Sequence, residues 1–400
     1  MSKVESDGIC SQEHSIYRTR RFSQIAENFG WSIGGYALAY SVEGGPGIVY
    51  LALSMIVAAM ISSGIVYHGR VVLHPSLIRW SLVCRGISFT IMLLGGFYDS
   101  IWLVAFGGFM SGLFVGTFWP TYYRVQSICG LSFSKWNLRD KLAGALIVAL
   151  SGLVIDMLGH IHVLVVSLIA ILGSYWFSRN LNGGGDCDAA SEYSSVRTDI
   201  GAIYSLPSLI AMAEGAFNWM TNLARLLVIL TGLVAWGGVS SSVGLGLLLA
   251  TTTSIGATIS WGLGAFPNRK GNRSFQLVVS GLSLSLVACI LLSNKSGWIY
   301  GMIVLSVGSS MIFPVLKDHV DAQIESNGLA GRGLREYSRN IGRFLGTLII
   351  AGIWYLSPVL FLLTIPIVAS ILVIGILYFE SSEYSIILYR ESSMKKEVRN

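Results

Sequence analysis

Charge is what this sequence has least of. Asp, Glu, Lys and Arg make up 12% of its 400 residues, about half the ~25% carried by soluble domains. Hydrophobic residues fill 53% of the chain and the mean hydropathy is +0.65. Composition alone therefore excludes a soluble globular protein and implies one embedded in a bilayer. Cysteine is scarce too: Cys10, Cys84, Cys129, Cys187 and Cys289 lie far apart with no paired spacing, which gives neither a disulfide framework nor a zinc pattern. There is no nucleophile elbow and no paired-histidine metal helix. His160-x-His162 has metal-like chemistry without companions, and Gly183-Gly184-Gly185-Asp186-Cys187-Asp188 matches neither a phosphate loop nor a calcium loop. No enzyme and no cofactor are expected. The N-terminus shows no short apolar region followed by a small-residue cleavage site, so no secretory signal is expected.

What is abundant is long apolar runs. Windows of about 20 such residues, each enough to cross a bilayer, recur along nearly the whole chain. They predict twelve transmembrane helices, at 22–42, 47–67, 76–97, 101–124, 138–158, 161–179, 204–236, 242–265, 274–293, 297–318, 337–357 and 359–379. Polar turns punctuate them, as at Ser293-Asn294-Lys295-Ser296-Gly297 and Ser357-Pro358. The cations orient the set. With both termini cytoplasmic, 24 of the 27 Lys and Arg residues fall on that side, Lys295 falls opposite, and Arg85 and Arg225 lie inside spans. Cytoplasmic enrichment of Lys and Arg is the topology rule, and it accounts for the formal charge of +6 without nucleic acid. The expected setting is the cell inner membrane, with the lipid bilayer as partner and a monomer as the working unit.

A glycine-rich polar link divides the chain. The expected organisation is a cytoplasmic segment 1–20, a six-helix bundle 21–180, a cytoplasmic linker 181–200, a second six-helix bundle 201–380 and a cytoplasmic tail 381–400. The two bundles repeat one another. Ala26-Glu27-Asn28-Phe29-Gly30-Trp31 in the first span matches Ala213-Glu214-Gly215-Ala216-Phe217-Asn218-Trp219 in the seventh. Phe118-Trp119-Pro120 precedes Arg139-Asp140 by nineteen residues, and Ile312-Phe313-Pro314 precedes Arg335-Glu336 by twenty-one. In register with a six-plus-six count, these argue for the internal duplication found in many transporters.

Over roughly residues 20 to 380 the chain resembles the major facilitator superfamily. The most specific local match is the loop Gly264-Ala265-Phe266-Pro267-Asn268-Arg269-Lys270-Gly271-Asn272-Arg273, similar to that family's Gly-x-Leu-Ala-Asp-Arg-x-Gly-Arg-Arg loop with Asn268 in the acid's place. The first-half counterpart, Gly64-Ile65-Val66-Tyr67-His68-Gly69-Arg70, is degenerate, with His68 at the acid position. The family's drug–proton antiporter signature in the fifth span is missing, and so is the arginine–glutamine signature of proton coupling in the fourth. The resemblance implies two pseudo-symmetric bundles, a cavity lined by the first, fourth, seventh and tenth spans, and alternating access to a midplane site for a small-molecule substrate. The degraded latch loops leave a second reading in place: a transporter-like membrane sensor or assembly protein that no longer transports.

Polar groups within spans are the site candidates. In the seventh span Glu214, Asn218, Thr221 and Arg225 share one helix face, with Glu214 and Arg225 about 16 Å apart along the axis. They read either as separate interhelical anchors or as a cavity stripe with Arg225 binding an anionic group. Glu27 and Glu214 occupy matched positions, and a buried carboxyl there would carry a coupling proton or serve in a salt bridge. Tyr36 is a substrate contact or an interface aromatic, and Trp119 a cavity wall or core packing. Pro120 and Pro314 allow bending at matched positions. Asn268 and Arg269 belong to the latch. Gly342 and Gly346, four apart, permit close helix packing. Arg85 sits near the middle of the third span, which the resemblance places at the periphery. Facing lipid would be costly there, so it is expected to turn inward as a strut, toward a carboxylate such as Glu27 or toward backbone carbonyls.

Overall fold

The computed structural model describes residues 3–68, 74–128, 137–181, 206–235, 242–264, 272–292, 296–325 and 328–356. Among them the chain is helical throughout. The elements are α1 (Lys3–Ala26), a π-helical segment (Glu27–Gly35), α2 (Tyr36–Glu43), α3 (Gly45–Tyr67), α4 (Pro75–Phe97), α5 (Ile101–Ile128), α6 (Asn137–Leu158), α7 (His160–Ser178), α8 (Leu206–Ala235), α9 (Ser242–Gly264), α10 (Asn272–Leu292), α11 (Trp298–Glu325) and α12 (Gly328–Leu356). The expected first span is the run from α1 through the π segment to α2, and α3 to α12 hold the second to the eleventh. The expected twelfth span and, beyond Leu181, the linker lie outside the described residues. Five helices within the described residues are long and apolar enough to cross a membrane: Gly45–Tyr67, Pro75–Phe97, Ile101–Tyr122, Lys141–Leu158 and His160–Ser178.

Local chemistry sets the boundaries. Gly44, at φ +68°, ends α2 with its N–H donating to the Tyr40 carbonyl, and Pro46 follows inside the first turn of α3. Only glycine holds that conformation without strain. At the start of α4 the His74 ring accepts from the Ser76 N–H, and Pro75 occupies the first helical position, where its missing donor is no loss. Gly159, at φ +90°, separates α6 from α7.

Two polar stretches outside the expected spans are helical as well. The charged segment from Lys317 to Arg343 reads either as an interbundle salt-bridge network closing the inner gate or as a solvated loop; in the structure α11 runs on to Glu325 and α12 begins at Gly328. The charges there support helix because Glu336 and Arg339 pair at i, i+3, 3.3 Å apart. The polar N-terminal stretch is also helical, and its end is buried: Thr19 is fully covered and its carbonyl accepts from Ser174 of α7 at 2.8 Å.

Packing within the first bundle rests on a glycine ridge. Gly108, Gly112 and Gly116 of α5 recur at every fourth position, and each lies against the backbone of α3: a Cβ on Gly108 would stand 3.0 Å from the Leu51 carbonyl oxygen, and one on Gly116 2.6 Å from that of Ala59. Small residues at this spacing let helices meet closely in a membrane. In the second bundle Gly342 lies against the Met212 carbonyl and Gly346 against Ala216, joining α12 to α8, as their spacing in the sequence implies. Substitution of Gly112 by alanine is expected to lower the stability by about 1–3 kcal/mol, read as an earlier thermal unfolding in detergent. Its Cβ would meet the Met55 carbonyl, the Ala58 Cβ at 2.7 Å and the Ala59 nitrogen at 2.9 Å, mostly backbone that cannot step aside.

Contacts between the bundles carry the repeat. α3 packs on α12, and α6 on α9. In span order these are second with eleventh and fifth with eighth, and a shift of six spans turns one pair into the other. A duplicated chain folded around a pseudo-twofold axis produces such a pair of interfaces.

Candidate functional site

The site is built from two buried ion clusters, one in each bundle. In the first, Arg85 of α4 is 0% exposed. Its Nη2 stands 3.8 Å from Glu27 Oε1, and its Nη1 donates to Ser111 Oγ of α5. Its guanidinium also lies 5.1, 4.9 and 5.0 Å from the rings of Trp31, Phe89 and Phe114. The aromatic faces stabilise the cation where no water can reach it. Arg85 is the middle rung of a polar ladder joining α4 to α5, between the Ser81–Thr117 hydroxyl pair at 2.7 Å and the bond from Ser88 to the Gly107 carbonyl at 2.7 Å. Rungs at positions 81, 85 and 88 keep to one helix face.

Glu27 begins the π-helical segment, nine residues long. The segment holds its wider turn because small residues let neighbouring helices press against it. A Cβ on Gly30 would stand 2.5 Å from both the Phe89 ring and Ser167 Oγ, one on Gly34 3.0 Å from Val163, and one on Gly35 2.6 Å from Met92. Departures from the α-helical ladder of this kind cluster at functional positions. The Glu27 side chain keeps 25% of its surface exposed while its Oε1 faces Arg85.

In the second bundle, Glu214 of α8 is 0% exposed and faces α12, with Arg339 Nε at 3.4 Å and Arg335 Nη2 at 3.6 Å. Arg339 also donates to Glu336 at 3.3 Å, so two carboxylates and two guanidiniums balance. Burial alone would raise the Glu336 carboxyl, but Arg339, Arg343 and Arg335 outweigh it and hold it below its ordinary value. The same face of α12 then reaches the other bundle. Arg343 donates to Asn340 Oδ1 at 2.8 Å, and buried Asn340 donates to Ser63 Oγ at 3.0 Å and to the Ala59 carbonyl at 3.3 Å, both on α3. Next along the seam, Tyr337 stacks on Tyr67 with centroids 5.7 Å apart and meets His68 edge-on at 6.2 Å.

The other expected residues fall as follows. Asn218 is half-buried and its Oδ1 accepts from exposed Asn222 at 2.7 Å. Thr221 is buried, and its hydroxyl donates back to the Phe217 and Asn218 carbonyls at 3.0 and 2.9 Å. Tyr36 is buried with its ring edge-on to Trp31 at 5.7 Å. Trp119 is half-buried between Phe118 at 5.2 Å and Tyr122 at 6.1 Å. Pro120 sits inside α5, which continues to Ile128, and the next residue, Thr121, bonds back to the Thr117 carbonyl at 2.7 Å. Arg225 and Pro314 occupy α8 and α11, with side chains outside the described set, and Asn268 and Arg269 lie outside the described residues. Arg335, Arg339 and Arg343 fall in the charged segment that the sequence offers as a salt-bridge network, whereas Asn340 was not among the expected residues. Their signal was the i, i+4, i+5, i+8 polar stripe on a helix that runs into an apolar span.

No protein-family profile matches the sequence, and no curated protein matches it in sequence. The fold does have relatives. A crystal structure of a point mutant of the nucleoside transporter NupG superposes with a TM-score of 0.63 at 12% identity, over 91% of this chain and 99% of that one. A second crystal structure of the nucleoside transporter NupG gives a TM-score of 0.62 at 11% identity, over 93% and 98% of the two chains. The chain therefore has the major facilitator fold and is an integral membrane protein. At these identities the likeness speaks for the fold, while the solute has to be argued from the site.

Proposed function

We propose that this chain is a secondary transporter that moves a small organic solute by alternating access, working as a monomer in the inner membrane with both termini cytoplasmic. The observation that carries the reading is the seam between bundles. Where α12 meets α3 it includes exchangeable polar contacts, buried Asn340 donating to Ser63 Oγ at 3.0 Å and to the Ala59 carbonyl at 3.3 Å, which water can replace when the bundles part there. The NupG structures, of a nucleoside transporter with this fold, support the class.

Within the site, Arg225, Asn218 and Trp119 contact the solute, and Tyr36 and Thr221 shape the wall behind them. Glu27 is the coupling carboxylate, because a proton can reach it, while Glu214, sealed between two arginines, holds α8 to α12. Pro120 and Pro314 supply the bend, and Asn268 and Arg269 a weakened latch.

Nucleosides and small anionic metabolites are the first solutes to test, by thermal shift of the purified protein and then by exchange of labelled solute in proteoliposomes. Arg225→Ala is expected to abolish the thermal shift given by an anionic ligand and to lower exchange at least about tenfold, as loss of one charge-assisted contact implies. Unchanged binding by Arg225→Ala removes that residue from the site.

A further inference from the structure

A groove of about 520 Å3 opens between α4 and α7, on the side of the first bundle away from the second-bundle seam. Its floor is Leu82 and Ile171, both buried, and its rim is Val83, Ile87 and Leu172, all exposed. Along α4 it runs from Leu82 to Ile91, about 14 Å at 1.5 Å per residue, close to half of a ~30 Å hydrocarbon core and so the depth of one leaflet. A glycine opens it. Gly86 faces the groove, where a Cβ would make only ordinary contact with Ile171 and Leu168 at 3.8 Å.

One end of the groove is cationic. Arg79 stands one turn before Leu82, half-buried, with Nη2 donating to the Leu181 carbonyl at 3.3 Å and a buried Nε that has no partner among the described residues. Arg179, at the end of α7, is exposed and lies over the rings of Tyr175, itself a groove residue, at 5.3 Å and Trp176 at 5.5 Å. Arg18 of α1 lies over the neighbouring Phe177 at 5.2 Å. Trp80 and Trp176 are 68% and 65% exposed at this same level, the depth at which tryptophan marks a membrane–water interface. Among the described residues no acidic side chain pairs with Arg79 or Arg179.

We infer that this groove is a binding site for an anionic phospholipid of the adjoining leaflet, with its phosphate held by Arg79 and Arg179 and one acyl chain laid over Leu82 and Ile171. Basic pockets between membrane helices bind anionic headgroups in this way. The apolar groove explains the chain, and the two guanidiniums explain the charge. A zwitterionic lipid satisfies only the first.

Native mass spectrometry of the full-length protein, titrated with phosphatidylglycerol or phosphatidylcholine of identical acyl chains, tests this. Phosphatidylglycerol is expected to be retained more strongly, by about fivefold for each arginine engaged. Arg79→Gln with Arg179→Gln should reduce it to the phosphatidylcholine level, while Arg79→Lys with Arg179→Lys keeps the preference. Gly86→Leu, which fills the groove and leaves both cations in place, should lower retention of both lipids. If the glutamine pair fails to fold, the lysine pair and Gly86→Leu still decide. Equal retention of the two lipids by the unmodified protein, or unchanged retention in Gly86→Leu, overturns the site.

Discussion

Replacing Arg85 by alanine is expected to lower the stability of the protein by about 3–5 kcal/mol, the range seen when one partner of a buried ion pair is removed. Three losses coincide in that substitution. The Glu27 carboxylate loses its partner at 3.8 Å, Ser111 loses its donor, and the rings of Trp31, Phe89 and Phe114 are left around a void. Arg85→Met restores most of the volume but not the charge, so it should fall between. Adding Glu27→Gln to Arg85→Met removes the stranded carboxylate and should recover part of the stability, since an apolar replacement of a whole buried pair is often neutral. Thermal unfolding of the two single variants and the double variant in detergent forms the cycle. Ligand affinity should change less than stability across it. A cycle with no coupling between Glu27 and Arg85 would contradict the strut.

Replacing Glu214 by alanine is expected to be the next most damaging change. It leaves Arg335 and Arg339 facing each other across an empty slot without the carboxylate that lay between them, at a cost of about 3 kcal/mol or more. The contact of α8 with α12 should loosen, and with it the register of Arg225 and Asn218 on α8. Limited proteolysis and thermal unfolding should both report the change, and solute exchange should fall in parallel. Glu214→Gln keeps the shape and should be milder. The remaining cluster has a pH signature with a defined sign. Because Glu336 is held below its ordinary value of 4.5, its contribution is complete above that pH and is lost as the pH falls through the lowered value.

Much of this was legible in the sequence, for physical reasons that differ from element to element. The spans follow from hydrocarbon thickness, and the two bundles from matched motifs at Glu27 and Glu214. The direction taken by Arg85 follows from the poor alternatives open to a guanidinium in a membrane, and the structure shows it beside Glu27. The close packing at Gly342 and Gly346 follows from their spacing. Other features depend on partners far away in the chain. The π-helical turn at Glu27–Gly35 is held by Phe89, Met92, Val163 and Ser167, none of them near it in sequence. The arginines that cover Glu214 lie more than a hundred residues later, on a stretch whose charge density fits a salt-bridge network and a solvated loop equally well. Their charges are tolerated in a helix because they are paired. Asn340 gave no signal as a link between bundles, because an asparagine beside arginines looks like an ordinary helix surface until α3 is brought against it.

Alternating access by two bundles requires the seam at Ser63 and Asn340 to open and close in every cycle. The most direct test is a cysteine pair, Ser63→Cys with Asn340→Cys, at positions whose side chains touch at 3.0 Å, in a background with the native cysteines replaced. Solute exchange in proteoliposomes is measured before oxidation, after oxidation and after reduction. The transporter account predicts that exchange stops when the disulfide forms and returns when it is reduced. Exchange that continues at the same rate with the bundles cross-linked would contradict it.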